Sequence, residues 1–238
     1  MRFIYNQPVL YHLGAIIIGD THFGIEDRLK GSGLHYSHIS DRISDKIILL
    51  AKKTRAKKLI ILGDVKENIL HVDAITENIF IKLQKLISVT VVRGNHDGSI
   101  ESVCNDVKPS KGFLYGNLGL IHGNAWPSEA LMSAKYLISA HQHPQIEFKD
   151  KSGKIHKEPV RLVLPPNKIK IKKFYKIFNK DIQLILLPAF NPLVGKTIKS
   201  NAAAHLGPLL YNKLFKLNEA LAYRLNGISL GKLKNFEP

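Results

Sequence analysis

The stretch Ala15-Ile16-Ile17-Ile18-Gly19-Asp20-Thr21-His22 decides the fold class. A short run of β-branched and small apolar residues stops at a glycine, and a polar cluster follows at once. The same sentence is written twice more, at 58–63 (KLIILG) and 89–93 (VTVVR). Between the first two runs, Ile43, Ile47, Leu50 and Ala51 recur at helical spacing. Between the second and third, Ile75, Ile79, Phe80, Leu83 and Leu86 do the same. Strand, helix, strand, helix, strand predicts a mostly parallel sheet covered by helices.

Further along, 118–122 and 136–140 read as strands, with Pro127 where a helix could begin because its missing N–H is harmless there. The rhythm then changes. Asp150-Lys151-Ser152-Gly153 separates two strand-like stretches, and Asn226-Gly227 separates EALAYRL from ISLGKL as a hairpin turn would. Strands are expected near 160–164 and 183–187, in an antiparallel arrangement. The class is therefore α/β: two packed mixed β-sheets flanked by helices, in one domain over residues 1–238.

Composition narrows the function classes. A single cysteine, Cys104, excludes an internal disulfide, a cysteine-based zinc cluster and a redox pair. The unbroken aliphatic runs Ala15–Ile18 and Leu59–Leu62 fall far short of the ~20 residues that span a bilayer. Asn6, Gln7 and Pro8 interrupt any secretory apolar segment. A soluble, cytoplasmic protein with no membrane partner is expected, and oligomeric state stays open. The net charge is +16, with 35 basic against 19 acidic residues. Such an excess favours a polyanionic partner, since neutralising phosphates releases counterions. A lysine-rich thermophile surface is the competing explanation, although there the charge is usually balanced by glutamate.

Five short blocks each follow a predicted strand: Gly19-Asp20-Thr21-His22, Gly63-Asp64, Arg93-Gly94-Asn95-His96-Asp97, His122-Gly123 and His141-Gln142-His143-Pro144. Side chains at the carboxyl ends of parallel strands converge on one sheet edge, where open α/β sheets bind ligands. Asp20 and His22 are two apart in an expected extended segment, so they would project from one side, and His141 and His143 repeat the spacing. Five of the eleven histidines lie in these blocks. Carboxylates, imidazoles and one amide without thiolate suit divalent transition metals, Mn²⁺ foremost, with Fe or Zn²⁺ as alternatives. Roughly seven ligands exceed the need of one tetrahedral ion. Two ions sharing a carboxylate would use them, and such a pair clamps the entering and leaving oxygens of an in-line displacement at phosphorus. Taken singly, Asp20, Asp64, Asp97 and the glycines could each be turn or cap residues.

Taken in order, the blocks resemble the calcineurin-like metallophosphoesterase superfamily, whose pattern is D-x-H, G-D, G-N-H-D/E, a lone H and G-H-x-H. The resemblance covers residues 19–144, with 44 residues from Asp20 to Asp64, 31 to Asn95, 27 to His122 and 19 to His141. It implies that Asp20, His22, Asp64 and His143 hold one metal, and that Asp64, Asn95, His122 and His141 hold the other. His96 would be the non-ligand histidine beside the scissile phosphate, with Asp97 orienting it. Within the superfamily, Leu13–Phe23 and Leu187-Pro188-Ala189-Phe190-Asn191-Pro192 are similar to the small phosphoesterases that include the ligase-associated DNA damage response enzyme and archaeal relatives. The implied activity is hydrolysis of a phosphodiester in DNA, RNA or a small nucleotide. A nucleotide or protein phosphomonoesterase, or a metal-stabilised nucleic-acid-binding subunit with little turnover, are the alternatives.

Two departures stand out. Ala140 replaces the glycine that usually precedes H-x-H, which would be strained if that backbone needed positive φ. The acidic or histidine residue often found after G-D is represented only by Glu67. Arg93 could reach phosphate or be a surface cation. His35 and His38 could border the site, and Trp126 could stack on a base or anchor the rim. The stretch 168–180 (KIKIKKFYKIFNK) interleaves Lys170, Lys172, Lys173 and Lys176 with aromatics. It reads either as a basic arm along a phosphate backbone or as an edge strand kept from aggregating by its lysines.

Overall fold

The Ala15–Ile18 run is the third strand of a six-stranded sheet in the computed structural model, which describes residues 1–31, 33, 38–199 and 206–236. That sheet holds β1 (Arg2–Phe3), β2 (Leu10–His12), β3 (Ala15–Ile18), β4 (Lys58–Ile61), β5 (Ser88–Val92) and β6 (Val107–Lys108), in this order. From β3 to β6 the pairing is parallel, and β1 and β2 add an antiparallel edge. Helix α1 (Ile25–Gly31) follows β3, and α2 (Ile39–Thr54) and α3 (Ala74–Gln84) make the crossovers. Helix α2 buries Ile43, Ile47, Leu50 and Ala51, the spacing read from the sequence. Helix α3 buries Ile79, Phe80 and Leu83, but Leu86 lies past its end and is exposed.

The second sheet comprises β7 (Phe113–Tyr115), β8 (Leu118–Ile121), β9 (Tyr136–Ser139), β10 (Pro144–Lys149) and β11 (Ile155–Leu164). It continues with β12 (Gln183–Leu186), β13 (Lys196–Thr197), β14 (Leu221–Arg224) and β15 (Ser229–Lys232). Its order is β13-β10-β11-β12-β9-β8-β7, with β14 paired to β11 and β15 to β14. Both expected hairpins form, at β10/β11 and β14/β15. The sheet is not purely antiparallel: β12 runs parallel to β9, and β13 parallel to β10.

Alternation along β3 shows how the layers stack. Ala15 and Ile17 join Leu120, Ile138 and Ile185 in the core between the two sheets. Ile16 and Ile18 face the other way, into a core shared with Ile47, Phe80 and Leu83 of the covering helices. With both faces buried, the strand needs no polar alternation. A third core lies behind the second sheet, where Leu162 and Leu184 meet Ile171 and Leu209 of α4 (Lys168–Phe174) and α5 (Gly207–Tyr211).

Helix α4 corrects the extended conformation expected for 168–180 over its first seven residues, and 175–180 follow without regular structure. Asn167 caps it, its side chain accepting from the Lys170 N–H. Ile171 and Tyr175, four apart, are buried on the core side, while Ile169 is 76% exposed. The Lys-Ile alternation suggested a period of two, but burial follows the helical period. Near Pro127 the helical turn is shorter than expected, a 3₁₀ segment at Glu129–Ser133.

Candidate metal centre

The five blocks meet at one end of the sheets, and a left-handed backbone brings their side chains together. Asp20 (φ 58°), His22 (φ 45°), Asp64 (φ 47°), His141 (φ 70°) and His143 (φ 45°) all have positive φ. The extended D-x-H and H-x-H segments expected from the sequence are therefore corrected to pairs of sharp turns. Such conformations cost on the order of 1–3 kcal/mol each and persist where the surrounding structure fixes them. Gly63 (φ 73°) shows how close the packing is, since a Cβ there would lie 2.5 Å from the His122 ring. Ala140, by contrast, keeps out of the positive-φ region, and Gly19 leaves the space its methyl fills. That departure is harmless.

Two groups of potential ligands meet here, Asp20, His22, Asp64 and His143 in one and Asp64, His122 and His141 in the other, with ligand atoms within 4.8 Å of one another, and a further group of His22, Glu67 and His96 adjoins the first. Asp64 belongs to both: Oδ1 lies 3.3 Å from His122 Nε2, and Oδ2 lies 4.0 Å from His22 Nε2. Asn95 joins the second group, its Oδ1 3.2 Å from His122 Nε2. His141 Nδ1 is 3.1 Å from the same nitrogen, and His143 Nε2 is 3.1 Å from Asp20 Oδ1. Ligand atoms sharing an ion at ~2.1 Å fall ~3.0–3.4 Å apart, so all of these separations but the 4.0 Å one suit a shared ion.

The residues fit a metal on a second ground. His22 Nε2 is buried without a hydrogen-bond partner, and His143 Nε2, although 3.1 Å from Asp20 Oδ1, does not meet hydrogen-bond geometry with it. Such atoms are costly to bury unless something binds them. The opposite nitrogens of the His22 and His122 rings are committed elsewhere. His122 Nδ1 donates to the Leu62 carbonyl at 2.7 Å, and His22 Nδ1 to Glu67 Oε2 at 2.9 Å. The His22 and His122 rings therefore turn Nε2 inward.

Electrostatics of the metal-free site follow from burial against mutual attraction. Burial opposes charge on Asp64, but hydrogen bonding and attraction to His122 hold its carboxyl well below the usual range. Burial likewise opposes a charged His122, yet Asp64 and Asp20 raise it to about 9. His141 is pushed down to about 4 by burial and then by His122.

His96 stands beside the first group, its ring centroid 5.1 Å from that of His22. Its Nδ1 donates to the Glu67 carbonyl at 2.9 Å, which leaves Nε2 for other work. Asp97 does not orient this ring, a correction to the expected role. Its buried carboxylate accepts from Val65 N at 2.8 Å and Gly94 N at 2.7 Å, tying the G-D loop to the G-N-H-D loop. Arg93 is held by Glu101 and reaches the Asp97 carbonyl.

A family model described as calcineurin-like phosphoesterase matches residues 15–223. The chain belongs to that family. Membership makes it a metal-dependent phosphoester hydrolase and implies divalent metal ions, which these clusters could hold. The structure of the nuclease MPE from Pseudomonas putida is similar, with a TM-score of 0.59 at 18% identity, covering 95% of this chain and 94% of that one. The phosphoesterase Yfce from E. coli matches with a TM-score of 0.45 at 13% identity, covering 92% and 98%. The first is a likeness of fold. No curated protein sequence matches the chain.

Three contributors to this phosphoesterase site escaped the sequence reading. Glu67 was noted only as an irregularity, yet it bridges His22 and Arg28, whose Nε lies 2.9 Å from its Oε1. Lys66 is fully buried, donating from Nζ to the carbonyls of His96 at 2.7 Å, Ile69 at 3.1 Å and Asn68. Asn191 donates from Nδ2 to the Thr21 carbonyl at 3.0 Å, and Phe190 N to the Gly19 carbonyl at 2.9 Å. The late Leu187–Pro192 segment thus buttresses the D-x-H turn, a pairing no local pattern announces. His38 pairs with Asp41 at the exposed start of α2, and His35 lies outside the described residues. Among the described residues, no helix is long and apolar enough to cross a membrane.

Proposed function

We propose that the protein is a two-metal phosphodiesterase acting on nucleic acid. The observation that carries this reading is Asp64, one carboxylate shared by two ligand groups, with His96 beside the first of them. Asp20, His22, Asp64 and His143 would hold one divalent ion, and Asp64, Asn95, His122 and His141 the other. When bound, the pair supplies positive charge that clamps entering and leaving oxygens at phosphorus. The chain's own residues do the rest. Glu67 and the Leu62 carbonyl fix the His22 and His122 rings, and Asp97 locks the two loops together. His96, its Nδ1–H held by the Glu67 carbonyl, would act as imidazolium, giving the Nε2 proton to the leaving oxygen and returning to the neutral ring. The +16 charge supports a polyanionic substrate over a small neutral one. Mn²⁺ is the first metal to load, and the nuclease likeness adds support from fold alone.

A substrate panel with the Mn²⁺-loaded protein tests this, comparing mono- and diester model compounds with single- and double-stranded DNA and RNA. Faster cleavage of diesters is the expected result. Monoester preference would mark a phosphomonoesterase, and binding without turnover a nucleic-acid-binding subunit.

A further inference from the structure

We infer that helix α4 and the residues just after it form a holding site for single-stranded nucleic acid, outside the metal centre. An open pocket of about 440 Å³ lies there, lined among others by Lys168, Ile169, Lys172, Lys176, Ile177 and Lys180. Ile169 and Ile177 are 76% and 82% exposed, so lysines surround an apolar floor. Lys168 pairs with Asp181 at 3.6 Å, while among the described residues no ion pair reaches Lys172, Lys176 or Lys180. Three uncompensated cations beside an apolar surface suit a ligand that is both polyanionic and apolar. A single strand is one: its phosphates meet the lysines and its unpaired bases cover the isoleucines.

The loop after His122, a candidate ligand, packs against α4. Trp126, four residues on and so at most ~14 Å of chain away, packs at 4.8 Å against Phe174 of α4. Tyr175 just after α4 donates its hydroxyl to the Pro127 carbonyl at 2.9 Å, fixing helix to loop. Both Trp126 and Phe174 stay about half exposed, although neither lines the pocket itself. Lys170 and Lys173, expected alongside Lys172 and Lys176, do not line the pocket, because residues 168–174 form a helix and not an extended arm.

The inference rests on the reading of the centre as acting on nucleic acid, and the experiment separates the two. A nuclease-resistant, single-stranded phosphorothioate oligonucleotide of about 12 nucleotides, within the ~4–16 of single-strand sites, is titrated against salt by fluorescence anisotropy. Three proteins are compared: wild type, Lys172→Gln with Lys176→Gln, and Lys53→Gln with Lys85→Gln, an equal charge loss on α2 and beyond α3. The pocket variant should bind more weakly, with a salt slope shallower by about 1.4, since each single-strand phosphate contributes ~0.7. The control pair should match wild type. Identical slopes in all three, or no wild-type binding at low salt, overturn the inference. So does a pocket variant that loses binding to phosphatidylserine vesicles but not to the oligonucleotide. Hydrolysis of a small diester by the wild-type protein reports on the centre separately. Its failure alongside the expected slopes would sink the catalytic reading and leave the pocket standing.

Discussion

Glu67 Oε2 stands 2.9 Å from His22 Nδ1, and Glu67 Oε1 stands 2.9 Å from Arg28 Nε. A carboxylate held by a cation on one side fixes an imidazole on the other, and the free His22 Nε2 then faces Asp64. Attraction to His22 and Arg28 outweighs burial and lowers the Glu67 pKa, so the carboxylate remains an acceptor. Glu67→Ala should weaken one metal site by about 10–100-fold, the usual effect of removing such support. Glu67→Gln should cost less, because its amide oxygen still accepts. Calorimetric Mn²⁺ titration reads both, and equal affinities across the three proteins would remove Glu67 from the site.

Asp64 shares its two oxygens between two groups, so Asp64→Asn should weaken both ions, whereas His22→Ala should weaken one. Metal analysis after Mn²⁺ loading and desalting checks the count. Two ions per wild-type chain are expected, one for His22→Ala, and fewer than one for Asp64→Asn.

His96 holds no place in the groups built around Asp64 and offers Nε2 beside them. His96→Ala should keep both metals and lose ~10²–10⁴ in diester turnover, the scale of a positioned acid. Loss of metal, or wild-type turnover, would reassign the residue.

Much of this was legible in the sequence because parallel strands write plainly. Ala15–Ile18, Lys58–Ile61 and Ser88–Val92 are buried on both faces, and each is followed by the loop that carries its ligands. Residues of one short block are necessarily near each other, so D-x-H and H-x-H could be read locally. Lys66 could not, since its three partners are main-chain carbonyls that leave no trace in residue type. The α4 segment misled because Lys-Ile alternation satisfies a strand and a helix alike until the core selects Ile171 and Tyr175.

The β10/β11 turn allows a test free of the metals. Asp150 Oδ1 accepts from Ser152 Oγ at 2.6 Å and Lys154 N at 3.0 Å, and Oδ2 lies 2.8 Å from His156 Nε2. Ser152 first, then His156, hold this exposed carboxyl down to about 2 from 3.8. A depressed folded value means the turn's support is complete above 3.8 and is lost as pH falls through about 2. An NMR titration of the Asp150 carboxyl should find its midpoint near 2. A midpoint close to 4 would mean the turn is open in solution.

The buried Lys66 permits a sharper test of how His96 is placed. Its ammonium has three N–H donors and three carbonyl partners, on His96, Asn68 and Ile69, so its donors are fully used. Burial lowers its pKa and the nearby Asp97 opposes that fall. Lys66→Met keeps most of the stem and leaves carbonyls unpaired, at about 1–3 kcal/mol each where they stay dry. The loop carrying His96 should then lose its alignment while the metal ligands keep theirs. Turnover of a small diester should fall about tenfold, with KM and metal count unchanged. A purely structural lysine would lower stability without that split. The double variant decides between them: if Lys66 acts by positioning His96, then Lys66→Met adds little to His96→Ala, because residues that work as a unit are not additive. A further tenfold loss in the double variant would mean that Lys66 supports the site by another route.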